Sequence, residues 1–256
     1  MLAGGFSTPA FVGELSNPIG RLVKGGPLVY VTRSWRDVER VVTAHLPQAP
    51  YLRPLVAKRL FDLFVSGFGL LGSAPLWLFI ALAIKLEDGG PVFYVQKRVG
   101  RWGRQFRSWK FRSMAPDSDA QFGPLQAGEN DPRVTRVGRF LRATALDELP
   151  QLWNIFKGDM SFVGPRALLA AEIEVNGDGE LTLLEKIPGY KARHQVKPGL
   201  TGIAQIYAPR DIPRRHKFKF DLLYIKKQRF WLDLKLIALS FWITFRGSWE
   251  VRGRKY

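Results

Sequence analysis

The sequence of 256 residues contains no cysteine, which excludes disulfide bonds, thiolate metal sites and a cysteine nucleophile. Its three histidines, His45, His194 and His216, are scattered and form no paired metal-binding motif such as HExxH. The start, MLAGGFSTPAF, lacks a basic region followed by an apolar one. The sequence therefore predicts no signal peptide, and we expect the residues before position 60 to stay in the cytoplasm.

Acidic residues are few compared with basic ones. There are 22 Asp and Glu against 39 Lys and Arg, a formal net charge of +17. A charge of this sign predicts anionic partners, which include nucleic acid, acidic lipid headgroups and phosphorylated substrates. The eight Trp, 18 Phe and seven Tyr favour a membrane interface among these, because aromatic rings settle at the depth of the headgroups.

One long apolar segment, residues 60–84, carries Asp62 as its single charge. A straight helix of this length would measure roughly 37 Å, enough to cross a hydrocarbon core of about 30 Å. Pro75 lies in its middle and removes a backbone hydrogen bond, and basic residues flank both ends. These features favour a re-entrant helix with both ends on the cytoplasmic side. A kinked spanning helix and a soluble core helix stay open.

Local patterns predict an α+β fold. The runs VFYVQ and QFRSWKF flank the turn GRWG and predict a β-hairpin. Helical spacing follows from about residue 133, interrupted by Pro150 and closed by Gly158. HQVKPGLTGIAQIY predicts a turn and a short strand, and the tail from about residue 218 predicts one or two amphipathic interfacial helices.

The chain divides into two parts. Residues 1–53 are rich in Gly and Pro and are expected to form an N-terminal extension and linker of unknown role. Residues 54–256 are expected to form the main domain, which includes the apolar helix at 60–84.

The motif ALDELPQLWN places Asp147 beside Glu148, with Arg142 before them and Arg166 after them. One interpretation is helix capping, because Thr144-x-x-Asp147 resembles a capping box. The other is chemical: a carboxylate nucleophile or metal ligand, a neighbouring base, and arginines that hold phosphates. Consecutive helical residues point about 100° apart, so one acid can face a reacting phosphorus while its neighbour faces an incoming group.

The densest basic run lies between Lys97 and Arg112 and alternates with aromatic residues. This pattern is typical of proteins that bind single-stranded nucleic acid. A strand surface that faces solvent or lipid also explains it. A membrane-attached protein that binds nucleic acid or anionic lipid is therefore an alternative to an enzyme.

Five blocks between Lys58 and Phe245 resemble, in their order, the bacterial sugar transferases, which are monotopic polyprenyl-phosphate phosphoglycosyl transferases. The blocks are KRLFDLFVSGFGLL, EDGGPVFYVQKRVGRWGRQFRSWKFRSM, DPRVTRVGRFLRATALDELPQLWNIFKGDMSFVGPRA, VKPGLTGIAQI and FDLLYIKKQRFWLDLKLIA. This resemblance implies an α+β monotopic membrane protein with a Pro-broken re-entrant helix, a small β-hairpin or sheet and amphipathic interfacial helices.

The resemblance also implies an activity. It implies transfer of a sugar 1-phosphate from a UDP-sugar to polyprenyl (undecaprenyl) phosphate, with release of UMP and a covalent phosphosugar–aspartyl intermediate. The reaction would be the first membrane step of exopolysaccharide, capsule, O-antigen or glycan synthesis, at the cytoplasmic face of the bacterial inner membrane. Implied partners are the UDP-sugar, the polyprenyl phosphate and one membrane leaflet, without nucleic acid. A homodimer and the identity of the sugar stay open. An inactive scaffold of a polysaccharide machine is the alternative to an enzyme that this resemblance leaves open.

The resemblance assigns roles to matching positions. Asp147 would be the nucleophile and a ligand of Mg²⁺, and Glu148 would assist proton transfer. The other implied site residues contact phosphates or substrate: Arg142 and Arg166 the substrate phosphates, Lys58 and Arg59 the lipid phosphate, and Lys110, Arg112, Arg133 and Arg136 as further substrate contacts.

Two departures from the family pattern stand out. The family has Ser directly before the helix-breaking Pro, whereas this chain reads Ser73-Ala74-Pro75. It often has Pro-Arg-Pro where this chain reads Pro165-Arg166-Ala167. The first departure bears on the helix break, and the second on the nucleotide pocket.

Overall fold

The structure is a computed structural model that describes residues 54–116, 118, 131–170, 172–175, 181–208 and 212–245. The predicted N-terminal extension, 1–53, lies outside the described residues.

The first described element is helix α1, Pro54–Asp88, which is longer at both ends than the predicted 60–84. It is one continuous helix with Pro75 inside it. By length and composition its segment 56–88 is apolar and long enough to cross a membrane. The re-entrant course therefore stays a prediction, whereas a long apolar helix compatible with membrane association is confirmed.

Exposed apolar side chains form a stripe along α1. They recur at intervals of three or four residues, as one face of a helix requires. This apolar stripe comprises Val56, Leu60, Phe64, Phe68, Leu71, Phe79, Leu82 and Leu86. Pro75 is also exposed and falls in register between Leu71 and Phe79. The helix therefore presents one continuous apolar face from end to end.

The predicted hairpin is confirmed. Strands β1, Phe93–Val99, and β2, Gln105–Phe111, pair antiparallel. The turn Arg101–Gly103 joins them, with Trp102 in the left-handed region at φ 57°. A short strand, β4, Leu168–Leu169, pairs antiparallel with the end of β1, so that the sheet order is β2-β1-β4.

Two helices follow in the described chain, and a 3₁₀ turn joins them. Helix α2 is Arg136–Ala143, the turn is Leu146–Glu148, and helix α3 is Gln151–Lys157. Gly158 closes α3 at φ 100°, as predicted.

The capping-box interpretation of Thr144 is wrong. Thr135 caps α2 instead, and its hydroxyl accepts a hydrogen bond from Gly138 N at 2.9 Å. The Thr144 hydroxyl donates backwards to Phe140 O at 2.8 Å, because Thr144 lies at the end of a helix rather than at its start.

The remaining described elements are short apart from the last two helices. They are β3 Ser161–Val163, β5 Ile173–Val175, β6 Leu181–Leu183, α4 Tyr190–Arg193, β7 Gly199–Thr201, α5 Ile203–Tyr207, α6 Arg214–Lys227 and α7 Phe230–Phe245. Strands β3 and β7 pair in parallel, and β5 pairs with β6 antiparallel. The predicted strand near GLTGIAQIY is thus limited to β7, and the following residues are helical.

The largest core cluster joins α3, β3, α5, α6 and α7, with Ile155, Met160 and Tyr224 among its most buried members. A second cluster packs Ile80 and Ile84 of α1 against Phe111 of β2 and Leu141 of α2. Each fully buried side chain of this size contributes about 1.5–3 kcal/mol. The two clusters hold the hairpin and the α2–α3 region against α1, which confirms the α+β class.

Candidate functional site

The turn between α2 and α3 carries the two predicted acids. Ala145, just before the turn, is left-handed at φ 56°, a conformation that costs a non-glycine residue roughly 1–2 kcal/mol. Glu148 N donates to Ala145 O at 3.2 Å and closes the turn. Within this turn Asp147 is buried and only 8% exposed.

Lys110 of β2 joins this pair of acids. Its Nζ lies 2.5 Å from Glu148 Oε1 and 3.7 Å from Asp147 Oδ2. Lys110 therefore donates a hydrogen bond to Glu148 and acts on Asp147 by charge alone. Within the described residues, the Asp147 carboxylate accepts no hydrogen bond and keeps its oxygens available for a substrate.

The side chain of Asn154, in α3, holds the main chain of β2 next to Lys110. Its Nδ2 donates to Arg107 O at 2.7 Å, and its Oδ1 accepts from Trp109 N at 3.1 Å. The side chain thus pairs with the outer edge of β2 as a neighbouring strand would. Lys110 follows Trp109 directly, so Asn154 holds the main chain from which the Lys110 side chain extends.

Burial is the main cause that raises the pKa of Asp147 to about 6. Lys110, Arg142 and Arg166 lower it, while the neighbouring charge of Glu148 raises it. The carboxyl is therefore ionised at neutral pH and gains a proton as the pH falls through about 6.

Burial also acts to raise the pKa of Glu148, but the surrounding cations prevail. Lys110, Arg166 and Arg98 together bring that pKa down to about 2. The two adjacent acids thus have different environments. Glu148 is an anion bound to a cation, whereas Asp147 is an anion that accepts no hydrogen bond from the residues that the structure describes.

The two predicted phosphate-binding arginines flank the acids. Arg142 lies in the last turn of α2 and is half-buried. Arg166 lies between β3 and β4, is exposed, and pairs through its backbone with Gly199. The charges of both act on the Asp147 carboxyl. The structure thus brings together five of the predicted residues, which are Arg142, Asp147, Glu148, Arg166 and Lys110. Their chemical roles stay predictions.

The predicted lipid-phosphate residues are engaged with protein groups. Lys58 is buried, and its Nζ lies 2.5 Å from Asp233 Oδ2 and 3.0 Å from Val163 O. Arg59 donates from Nη1 to Ile155 O and from Nη2 to Phe156 O, both at 2.7 Å, at the carboxyl end of α3. Their contact with a lipid phosphate stays a prediction.

Each of the three further predicted contacts binds an acidic residue other than Asp147. Arg112 is buried and forms an ion pair with Asp88, with Nη1 donating to its Oδ2 at 2.7 Å. Arg133 forms an ion pair with Asp131 at 2.6 Å. Arg136 is exposed at the start of α2, where its backbone N donates to Glu87 Oε1 at 2.7 Å.

Arg98 and Arg193 belong to the surroundings of the site, although their sequence positions did not single them out. The charge of Arg98 acts on Glu148, and burial, followed by Arg166, lowers the pKa of Arg98 to about 10. Arg193 donates to Arg166 O at 2.7 Å. Arg98 lies within the basic run, where nothing marks it among its neighbours.

The donor set suits Mg²⁺ only in part. Within the described chain, no group of three or more His, Asp or Glu side chains could hold a metal ion. Mg²⁺, however, often binds through one or two carboxylates together with substrate phosphates. The Asp147 carboxylate, which accepts no hydrogen bond from the described residues, fits that arrangement.

A family model described as bacterial sugar transferase matches residues 53–247, which include every element from α1 to α7. The chain belongs to this family.

Named members of the bacterial sugar transferase family are similar in sequence. An undecaprenyl-phosphate glucose phosphotransferase of Komagataeibacter xylinus is 44% identical over 193 residues, which cover 73% of this chain and 35% of that protein. A UDP-glucose:undecaprenyl-phosphate glucose-1-phosphate transferase of Klebsiella pneumoniae is 43% identical over 199 residues, 75% of this chain and 40% of that protein.

A shorter relative matches over nearly its whole length. An exopolysaccharide production protein of Rhizobium leguminosarum bv. phaseoli is 42% identical over 188 residues, 72% of this chain and 92% of that protein. The chain therefore spans well under half of the two glucose phosphotransferases named above, and most of this shorter family member.

Proposed function

We propose that the protein transfers a sugar 1-phosphate from a UDP-sugar to polyprenyl phosphate and releases UMP. The observation that carries this proposal is the buried Asp147 carboxylate, which lacks a hydrogen bond within the described residues while the charges of Lys110, Arg142 and Arg166 act on it. Such a group is an anion poised as a nucleophile beside cations that suit a diphosphate. The names of the similar proteins support the same substrates.

In the first step, the Asp147 carboxylate attacks the phosphorus that bears the sugar. A bond forms between Asp147 and phosphorus, and the bond from that phosphorus to the bridging oxygen breaks. The electron pair leaves with UMP. Arg142 and Arg166 balance the charge of the diphosphate, which is the main contribution a protein makes to phosphoryl transfer.

In the second step, an oxygen of polyprenyl phosphate attacks the same phosphorus. The bond to Asp147 breaks, its carboxylate is restored, and the product is a sugar linked to the lipid through a diphosphate. Glu148 would assist proton transfer here. Because Lys110 holds Glu148 as an anion in the resting site, that role requires Lys110 to move towards the substrate. A covalent intermediate predicts ping-pong kinetics.

Asp147 would hold Mg²⁺ together with the phosphates of the substrate. When bound, the ion would neutralise charge on the diphosphate. The described residues supply the carboxylate, and the substrate would supply the remaining oxygen ligands.

The surface of α1 supports attachment to one leaflet. Its apolar stripe is exposed over the full length of the helix, whereas the opposite face contacts the rest of the protein at both ends. Asp62 Oδ1 accepts from Phe162 N at 3.2 Å, and Glu87 accepts from Arg136 N at 2.7 Å. A 35-residue helix is roughly 52 Å long. If it spanned the bilayer, the strand β3 and the start of α2, which pack on it, would lie in hydrocarbon, where exposed polar groups are unsatisfied.

Pro75 supports a re-entrant course. It lies on the exposed stripe. A proline ring clashes with the carbonyl four residues earlier, here that of Leu71, and this clash favours a bend that opens the same face of the helix. The helix would therefore bend around the protein, with its convex side towards the lipid. Ser73, one position earlier than in the family pattern, donates to Leu70 O at 3.5 Å and accepts from Trp77 Nε1 at 3.0 Å. We place both ends at the cytoplasmic face of the inner membrane, and a homodimer stays a prediction.

A panel of UDP-sugars with polyprenyl phosphate and Mg²⁺ tests the proposal, with UMP release as the readout. We expect turnover with at least one sugar, and at most one equivalent of UMP when the lipid is omitted. Asp147→Asn should reduce turnover by on the order of 10³-fold or more. Full turnover of this variant would show that Asp147 is not the nucleophile. Absence of UMP release with every sugar would overturn the proposed function.

A further inference from the structure

Arg193, at the end of α4, is the largest fully buried side chain in the described residues and is 2% exposed. Its Nε donates to Asp221 Oδ2 at 2.8 Å, and its Nη2 donates to the backbone oxygen of Arg166 at 2.7 Å. The guanidinium also lies 4.9 Å from the ring centre of Phe218. The buried ion pair of Arg193 and Asp221 is thus hydrogen-bonded to the backbone of Arg166, whose charge acts on Asp147.

His194 completes the surroundings of this guanidinium. Its Nδ1 lies 2.8 Å from Tyr190 O, which can only accept, so Nδ1 carries the proton and Nε2 accepts. Arg193 Nη1 lies 3.1 Å from that Nε2. Burial, and then the charge of Arg193, lower the pKa of His194 to about 4, which keeps the ring neutral. Every nitrogen of the Arg193 guanidinium therefore has a partner.

Arg98 of β1 holds the next peptide group in the chain. Its Nη1 donates to Ala167 O at 3.0 Å, and its Nη2 donates to Gln96 Oε1 at 2.5 Å. Arg193 and Arg98 thus bind two successive carbonyl groups, those of Arg166 and Ala167. The main chain at Arg166 and Ala167 is therefore held by two guanidinium groups.

Further hydrogen bonds connect the same segment to β7. Gly199 N donates to Pro165 O at 2.9 Å, and Gly164 N donates to Thr201 O at 2.9 Å. Hydrogen bonds therefore hold the main chain on either side of Arg166, at Pro165 and at Ala167. The Arg166 side chain, in contrast, is exposed and makes no hydrogen bond within the described part of the chain.

We propose that Arg193, together with Arg98, is a positioning residue that sets the direction of the Arg166 guanidinium towards the substrate phosphates. The proposal rests on the proposed function, because it takes Arg166 as a phosphate ligand. A buried ion pair can often be replaced by apolar residues without loss of stability, so stability alone does not explain Arg193. An error of about 1 Å in a group that contacts substrate can cost about 10²-fold in rate.

The test is a double-mutant cycle between Arg193 and Arg166. Arg193→Met is combined with Asp221→Leu so that no unpaired charge stays buried, and Arg193→Lys is the second variant, since it keeps a cation beside Asp221 if the first does not fold. We expect each to lower kcat/KM for the UDP-sugar by about 10²-fold in the wild-type background. In the Arg166→Ala background, each should cost less than about threefold, because the positioned group is gone. Equal losses in both backgrounds would overturn the proposal.

Hydrogen exchange of residues 164–168 supplies a readout that needs no turnover. We expect exchange in this segment to be at least about tenfold faster in both Arg193 variants, with the protection of α3 unchanged. Lys191→Met removes an exposed cation from the same helix and should change neither readout. Unchanged exchange at 164–168 overturns the positioning role. Faster exchange with full turnover instead counts against Arg166 as a phosphate ligand, which is part of the proposed function.

Discussion

Lys58 Nζ lies 2.5 Å from Asp233 Oδ2, so a buried ion pair joins the first described helix to the last. The Tyr224 hydroxyl donates to the other oxygen of the same carboxylate at 2.8 Å, and Lys58 also donates to Val163 O at 3.0 Å. Burial raises the pKa of Asp233, while Lys58 and Tyr224 act to lower it. The pair anchors α1 beside the strand that leads to Arg166.

This relationship predicts the outcome of removing Lys58. Lys58→Met should destabilise the protein by about 3–5 kcal/mol, because it leaves the Asp233 charge buried without its cation. Lys58→Met with Asp233→Leu should restore most of that loss. Thermal unfolding in detergent measures both. If the double variant is stable but its KM for polyprenyl phosphate rises about tenfold or more, Lys58 also contacts the lipid phosphate. An unchanged KM would show that Lys58 only anchors α1.

The pKa of Asp147 predicts an acid limit of activity. Asp147 is ionised only above about pH 6, so kcat/KM should fall as the pH drops through that value. Lys110 lowers this pKa, and Lys110→Met should therefore move the acid limit to higher pH. Lys97→Met, an exposed cation on the neighbouring strand, should leave the limit in place. A limit that stays near pH 6 in Lys110→Met would show that Lys110 does not act on the Asp147 carboxyl.

The same shift has a consequence for stability. Because the folded protein binds the Asp147 proton more tightly than the unfolded chain does, the contribution of this carboxyl is fully favourable only below its unfolded pKa of about 3.8. It weakens as the pH rises through about 6. Asp147→Asn should therefore flatten the pH dependence of the unfolding midpoint between about pH 4 and 6. An identical pH profile in the wild type and in this variant would contradict the raised pKa.

Asn154 is predicted to act on the site through β2. Asn154→Leu keeps the shape of the side chain but leaves Trp109 N and Arg107 O without their partner, at a cost of about 1–3 kcal/mol for each buried group. We expect a lower unfolding midpoint and, because Lys110 loses its support, an acid limit shifted in the same direction as in Lys110→Met. Loss of stability without any shift of the acid limit would show that Lys110 keeps its place unaided.

The course of α1 can be tested with single cysteines, since the chain has none of its own. Pro54→Cys and Pro91→Cys place one probe at each end of the helix. In sealed inside-out vesicles, a membrane-impermeant maleimide should label both positions, because a re-entrant helix keeps both ends on one side. Labelling of only one position in intact vesicles, and of both after detergent, would establish a spanning helix instead.

Local features of the chain were predictable. Alternation around GRWG identified the hairpin, and the Pro150 and Gly158 signals identified α3, because turn residues and periodicity act within a few residues. The ordered blocks identified the family and led to Asp147, Glu148, Arg142 and Arg166. The capping interpretation failed at Thr144, because the chain turns through a left-handed alanine that no sequence pattern marked.

The sequence by itself determined the α+β class, the long apolar helix and the acids at positions 147 and 148. Only the tertiary structure decided which charges meet: Lys58 with Asp233, Lys110 with Glu148, and Arg193 with Asp221. The members of each pair are separated by 28 to 175 residues along the chain. A lone acid in an apolar helix, such as Asp233, signals that a buried cation is needed. Which cation reaches it depends on how the helices pack, because burial and distance set the energy of an ion pair and neither is a local property of the chain.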